Sequence, residues 1–214
     1  MINEIKKSFQ LIRYGYGMKM NLIGGILILV IGILLLWTGN QGTALGAILF
    51  VFLGPMMCVQ TSCTLLCSGM VTASPRKREI EILLSDIISA VSALVGYLTI
   101  EIYTLYAKEL FWDRFENMVM LCMCVAVSTI YFGFAYKYYL VSSILYAVLV
   151  FASYIFGIVF FELTEIEINF AVGSVVGFVI VVIGVVLSSV VKRLAYKKTV
   201  SVWACGASLR KAMQ

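Results

Sequence analysis

The sequence predicts an all-α membrane protein, from its overall apolarity, the length of its apolar segments and the lack of alternating strand patterns. Of its 214 residues, 62% are hydrophobic and 13% are charged, and the mean hydropathy is +1.03. Soluble domains carry about 25% charged residues. The apolar segments approach the roughly 20 residues that a helix needs to cross a bilayer. Strands of a membrane barrel would alternate over about ten residues, a pattern that is missing here.

By that length criterion we expect six transmembrane helices within a single transmembrane domain, residues 1–214. The predicted spans are Asn21–Trp37, Ala44–Met70, Ile87–Tyr106, Met118–Tyr136, Leu140–Phe161 and Phe170–Val191. Residues 192–214 then form a tail outside the last span.

The distribution of basic residues predicts the orientation of the spans. Fourteen of the 16 Lys and Arg residues flank one side, whereas the other side has Lys108 and Arg114 among several acidic residues. Because basic loops stay in the cytoplasm, both termini and the loop 74–86 are expected to be cytoplasmic in a plasma-membrane protein. The net charge of +5 indicates contact with anionic membrane lipid and not with nucleic acid.

Two amphipathic segments precede spans. Residues 1–17 place apolar side chains at helical spacing among lysines, which predicts a helix lying in the membrane interface. The stretch Ser74–Asp86 starts with a capping Ser and a Pro at the first helical position. Ile80, Leu83, Leu84 and Ile87 then share one face. A short cytoplasmic helix is therefore expected, either docking to another protein or only anchoring a helical hairpin.

Polar groups inside spans mark candidate functional positions, because such groups are costly against lipid. Pro55 should kink the second span, and it is followed by Gln60, Thr61 and Thr64. Glu101 lies near the outer end of the third span. Each of these could line a translocation path. Interhelical hydrogen bonding for the first group, and a position at the outer interface for Glu101, are the alternatives.

Small residues recur along two spans, a pattern typical of close helix contacts. Gly25 and Gly32 lie in the first span, and the sixth span carries Gly173, Gly177, Gly184 and Ser188. Packing within the bundle is one interpretation, and a seam between two copies of the chain is the other.

Several functions are disfavoured by the residues that the chain lacks. It contains no histidine and no G-x-x-x-x-G-K-[ST] sequence, so histidine-based catalysis, histidine-ligated metal sites and nucleotide binding through a P-loop are not expected. Five of the six cysteines lie in predicted spans, where they serve as small apolar residues. We therefore expect no enzyme activity, no cofactor and no metal.

These features together resemble the permease subunits of ABC-type-2 exporters of the compact bacterial type. MINEIKKSFQLIRYGY resembles their cytoplasmic elbow helix, residues 1–17. ASPRKREIEILLSDI resembles their coupling helix between spans two and three, residues 74–86, and STIYFGFAYKYYLVSS resembles the turn between spans four and five. The short outer loop LTEIEIN departs from the longer outer region that family members often have, which limits inference about the substrate.

The resemblance implies a division of labour. A separate ATP-binding subunit would hydrolyse ATP, and two permeases, as a homodimer or a heterodimer, would pair above two such subunits. The residues implied in ATPase docking are Pro75, Arg76, Lys77, Arg78, Glu79, Ile80, Glu81, Leu83 and Leu84. The cargo would be a peptide, a lipid or a drug-like molecule moved outward.

Two other functions fit a chain of this size. A membrane-embedded substrate-binding subunit of a vitamin uptake transporter also has six spans, but the first span here lacks the alanine-spaced motif usual for it. A non-transporting membrane protein that confers immunity to a membrane-active peptide is the other alternative, and no sequence feature separates it from an exporter.

Overall fold

The computed structural model describes residues 18–38, 46–47, 49–53, 78–106, 114–135, 139–164 and 168–196, and these are almost entirely helical. We number five helices: α1 (Met18–Thr38), α2 (Ser85–Tyr106), α3 (Arg114–Ala135), α4 (Tyr139–Thr164) and α5 (Phe170–Tyr196). A π-helical segment, Glu79–Leu84, leads directly into α2. Residues 46–47 and 49–53 are also helical. The predicted all-α class is confirmed for the residues described.

Four helices in this part of the chain are long and apolar enough to cross a membrane: Glu81–Leu105, Phe115–Gly133, Leu145–Thr164 and Phe170–Tyr196. They correspond to the predicted spans three to six. The predicted first span falls on α1, whose apolar stretch Ile23–Leu35 is shorter. The predicted interfacial helix 1–17 and most of the second span lie outside the described residues.

Helix α3 is the centre of the bundle. Within its apolar window 72% of the residues are buried, against 17% for α4 and 22% for α5. It packs against α2, α4 and α5. The outward faces of α4 and α5 instead expose large apolar side chains such as Phe156, Leu163 and Val175. This distribution is the one expected when hydrocarbon covers the perimeter and close packing holds the centre.

The glycine stripe of α5 packs against α3 of the same chain. A Cβ atom added at Gly184 would lie 2.7 Å from Ala126 Cα, and one at Gly177 would lie 2.8 Å from Cys122 Sγ. Gly173 approaches Met118 in the same way. The bundle-packing interpretation is therefore correct for this stripe, and the seam between two copies is not needed to explain it. Close backbone approach through small residues is a common way for membrane helices to associate.

Residue pairs in contact give the direction of each helix. Along α3 and α5 the contacts run from Met118–Gly173 to Gly133–Ser188, so the two helices are parallel. Hydrogen bonds join the hydroxyl of Tyr154 to Asn117 near the start of α3 and that of Tyr146 to Ser128 near its end, so α3 and α4 are antiparallel. Helix α2 is antiparallel to α5. The four helices alternate in direction, as consecutive spans must.

Two helices extend beyond the predicted spans. The third span was predicted to begin near Ile87, joined to a short helix that ended at Asp86, and the helical backbone runs through Glu79–Leu84 into α2, with Ser85 itself helical at φ −65° and ψ −34°. The sequence from Glu79 to Tyr106 contains no Pro and one Gly, Gly96. Glycine is common in membrane helices, and the helix continues through this residue. The sixth span was expected to end at Val191, yet α5 continues to Tyr196.

We expect Gly184→Ala to destabilise the bundle by about 1–3 kcal/mol, because the added methyl group would overlap Ala126 and Thr129. The matched control is Gly46→Ala, where an added Cβ meets nothing within 4 Å. Thermal unfolding in detergent should show a lower Tm for the first variant and an unchanged or slightly raised Tm for the second. Equal Tm values for the two variants would contradict the α3–α5 packing.

Candidate functional site

The inner face of the helix that starts at Glu79 is polar where it meets α5. Glu81, Ser85, Ser89 and Ser92 are all buried and recur every three or four residues. A span that faced lipid here would instead need apolar side chains. This stripe therefore requires a polar partner on a neighbouring helix.

That partner is Lys192 on α5, whose side chain is completely buried. Its Nζ donates hydrogen bonds to Ser89 Oγ at 2.7 Å, to the Ser85 carbonyl oxygen at 2.9 Å and to Asp86 Oδ1 at 3.1 Å. An ammonium group has three N–H donors. These three acceptors lie within the first five residues of α2, so one short segment accepts from three donors of the ammonium group.

Asp86 completes the cluster. Besides accepting from Lys192, its other carboxylate oxygen accepts a hydrogen bond from Ser189 Oγ at 3.0 Å. Its side chain remains 26% exposed, whereas that of Lys192 has no exposure. Two residues of α5 thus hold the two oxygens of one carboxylate. We call Asp86, Ser85, Ser89, Ser189 and Lys192 the inner-end cluster, after the side of the membrane that the distribution of basic residues predicts to be cytoplasmic.

Small side chains make this arrangement possible. Ser85 and Ser89 face Lys192 from α2, whereas Gly184 and Ser188, which precede it on α5, lie against α3. Because none of them is bulky, α5 approaches both neighbouring helices closely enough for the aliphatic stem of Lys192 to be enclosed. Removing one partner of a buried ion pair leaves an uncompensated charge, which typically costs several kcal/mol. The inner-end cluster therefore fixes the start of α2 against the end of α5.

The π-helical turn stands immediately before this cluster. Short π-helical segments widen a helix locally and often occur at functional sites. In this turn Glu81 is 1% exposed, while Arg78 and Leu83 are on the surface. The segment 78–84 is thus a continuous helical extension of α2 with at least two side chains on its surface.

The predicted docking residues are only partly described. Pro75, Arg76 and Lys77 lie outside the described residues, and for Glu79, Ile80 and Leu84 the structure describes the backbone alone. Arg78 and Leu83 are exposed, as docking would require, whereas Glu81 is buried and does not belong to such a surface. The apolar face of Ile80, Leu83, Leu84 and Ile87 was inferred from α-helical spacing, which a π-helical turn changes.

Of the predicted path residues, Gln60, Thr61 and Thr64 lie outside the described residues. Glu101 is half-buried on α2, and its Oε1 is buried without a hydrogen-bond partner in the part of the chain that the structure describes. The structure does not bring Glu101 to the inner-end cluster: Asp86 and Glu101 lie near opposite ends of α2.

Sequence reasoning missed the inner-end cluster. Lys192 was counted only as a basic residue that sets orientation, and Asp86 only as part of an exposed helix surface. The available signal was a pair of opposite charges at the ends of two spans expected to lie on the same side, each accompanied by serines at helical spacing. The antiparallel contact between those two spans was not available from the sequence.

Other buried polar groups hold α3 to α4. Tyr154 donates to the Asn117 side-chain oxygen at 3.1 Å, and Ser128 and Tyr146 share a hydrogen bond of 3.2 Å. Within the described residues no group of three or more His, Cys, Asp or Glu is placed to hold a metal ion. The Tyr154–Asn117 and Ser128–Tyr146 contacts are interhelical hydrogen bonds of the kind that stabilise membrane bundles.

Comparison with known proteins gives no relative: no protein-family model, no curated protein and no solved structure matches this chain.

We expect Lys192→Met to destabilise the protein by about 2–4 kcal/mol, because Asp86 loses its countercharge while largely buried. Arg193→Met, at the exposed next position, is the control and should have little effect.

The pair itself is measured by a double-mutant cycle with Asp86→Asn. Equilibrium unfolding in detergent should give a coupling energy of at least about 1 kcal/mol between positions 86 and 192. Additive effects of the two substitutions would refute the ion pair.

Proposed function

We propose that this chain is the permease subunit of an ATP-binding-cassette exporter, which moves a peptide, lipid or drug-like cargo outward and is driven by a separate ATP-binding subunit. The observation that carries the proposal is the continuous helix from Arg78 to Tyr106, whose first turns are tied to α5 by Lys192. A motor that pushes on this end moves two membrane helices together.

The support for this is mechanical. A short exposed segment can transmit force only if it is rigid and attached to the helices that must move. Residues 78–84 continue into α2 without a break, and the three hydrogen bonds from Lys192 attach α5 to the same turn. A flexible loop would absorb the displacement.

The positions of exposed basic residues also support the Lys192 end of the bundle as the side that docks to the ATPase. Arg78 is exposed at the start of the segment, and Arg193 is exposed near the end of α5. Because α2 and α5 are antiparallel and in contact here, the two arginines belong to the same end. The positive-inside rule makes that end cytoplasmic, where an ATPase would be found. In the full proposal the chain has six spans and an elbow helix, with both termini in the cytoplasm of a plasma-membrane protein.

The partners follow from the same proposal. The chain carries no P-loop sequence, so ATP hydrolysis requires another protein. Two permeases, identical or different, would stand above two ATPases, and the segment Pro75–Leu84 of each would contact one of them.

We expect the triple substitution of Arg76, Lys77 and Arg78 by Glu to abolish co-purification with a protein that contains a P-loop, since three basic contacts become repulsive. The matched control replaces Arg193, Lys197 and Lys198 by Glu, which changes the charge equally. Affinity purification from native membranes in mild detergent, followed by mass spectrometry, measures the association, and fractionation checks that each variant still enters the membrane.

The control should retain the partner. If the unaltered chain captures no P-loop protein, or if the triple variant captures as much as the control, the exporter proposal is wrong.

A further inference from the structure

A groove runs between α2 and α5 in the membrane-spanning part of the bundle. Its cavity volume is about 160 Å³, and apart from the Tyr97 hydroxyl its lining is aliphatic or aromatic. Leu94, Phe178 and Val182 on its rim are exposed. These residues face the hydrocarbon region, so a molecule dissolved in the bilayer can enter the groove from the side.

The end of this groove farthest from the inner-end cluster is polar. Tyr97 donates through its hydroxyl to the Ser174 carbonyl oxygen at 3.2 Å and shares a second hydrogen bond of 2.9 Å with Ser174 Oγ. The Tyr97 and Phe178 rings pack edge to face with their centroids 5.7 Å apart. Ser174 precedes Phe178 by one turn of α5.

Glu101 lies one turn beyond Tyr97 on the same face of α2, close enough to interact with the Tyr97 hydroxyl. Its Oε1 atom is buried and has no hydrogen-bond partner among the residues described. A carboxylate oxygen in that state is costly, and a cation is the partner that satisfies it best. The Tyr97 ring, one turn away on the same face of α2, also favours a cation.

Depth places this polar end near a membrane surface. Glu101 precedes the end of the candidate span, Leu105, by four residues, which is about 6 Å along a helix. The groove begins one turn away, at Tyr97, and extends past Leu94 to Ala90, toward the other surface. A single-chain amphiphile in one leaflet has the same polarity, with its headgroup near the surface and its tail inward. The volume suits one chain or one ring, since a cavity of about 150 Å³ accommodates benzene.

We infer that Glu101, Tyr97 and Ser174, with the adjoining groove, form the binding site for a single-chain cationic amphiphile, whose ammonium group contacts Glu101 and whose apolar tail lies between α2 and α5. This amphiphile is the cargo, an inference that rests on the proposed export function. Charge complementarity selects the headgroup, and the apolar lining selects the tail.

The test uses the full chain in nanodiscs of phosphatidylcholine and a dodecylamine that carries a fluorophore at the far end of its tail. Fluorescence anisotropy gives its affinity, with unlabelled dodecylamine, dodecanol and dodecanoate as competitors of equal chain length. Dodecylamine should compete at least tenfold better than the other two. Glu101→Gln should weaken binding at least tenfold, whereas Glu162→Gln, a change at an exposed carboxylate of α4, should not alter it.

A second variant tests the groove independently. Ala90→Phe fills the cavity with a ring while leaving Glu101 unchanged, and it should also weaken binding at least tenfold. Equal competition by amine and alcohol, or full binding by Glu101→Gln, would overturn the inference. Phosphatidylethanolamine carries an ammonium headgroup of its own. If the labelled dodecylamine no longer binds in nanodiscs of this lipid, the site holds a lipid headgroup and the inference is overturned. None of these measurements involves the ATPase, so their failure leaves the proposed export function standing. If instead no ATPase partner is found, the binding site stands but the amphiphile is no longer assigned as an exported cargo.

Discussion

The buried ammonium group of Lys192 constrains the arrangement of the described helices more than any other group. It can be accommodated in a membrane protein only where acceptors surround it, and the first turn of α2 supplies three. The helices α2 and α5 must therefore meet at this end, in antiparallel orientation and with small side chains between them. Two apolar side chains in the same place would pack well in several registers of the two helices. The ion pair between Lys192 and Asp86 forms in only one register.

Around this fixed contact, α3 provides the packing centre. Its buried face accepts the glycine stripe of α5 on one side and the tyrosines of α4 on another. Because Gly177 and Gly184 bring α5 close to α3, and Lys192 brings it to α2, the last helix is held by both neighbours. The perimeter of α4 and α5 remains apolar and suited to lipid.

Much of this fold could be predicted from the sequence, since length and apolarity locate helices that need about 20 residues to cross a membrane. The spans beginning near Met118 and Phe170 start within a few residues of α3 and α5. The site was harder to predict. Lys192 and Asp86 are more than a hundred residues apart, and only the antiparallel packing of α2 and α5 pairs them. Burial of Glu81 was missed because this segment was predicted to be a surface helix, whereas it packs against α5.

The helix pair α2 and α5 carries different groups at its two ends: the contact between Lys192 and Asp86 at one end, and Glu101 and Tyr97 toward the other, beside the groove. The arrangement of the pair depends on the burial of Lys192. Lysine modification by a membrane-permeable amine reagent, read out by mass spectrometry, tests it most directly in the unaltered protein. We predict that Lys192 is modified at least tenfold less in bilayers than after unfolding in dodecyl sulfate. Equal modification in the two states would mean that Lys192 is exposed and would refute this packing of α2 against α5.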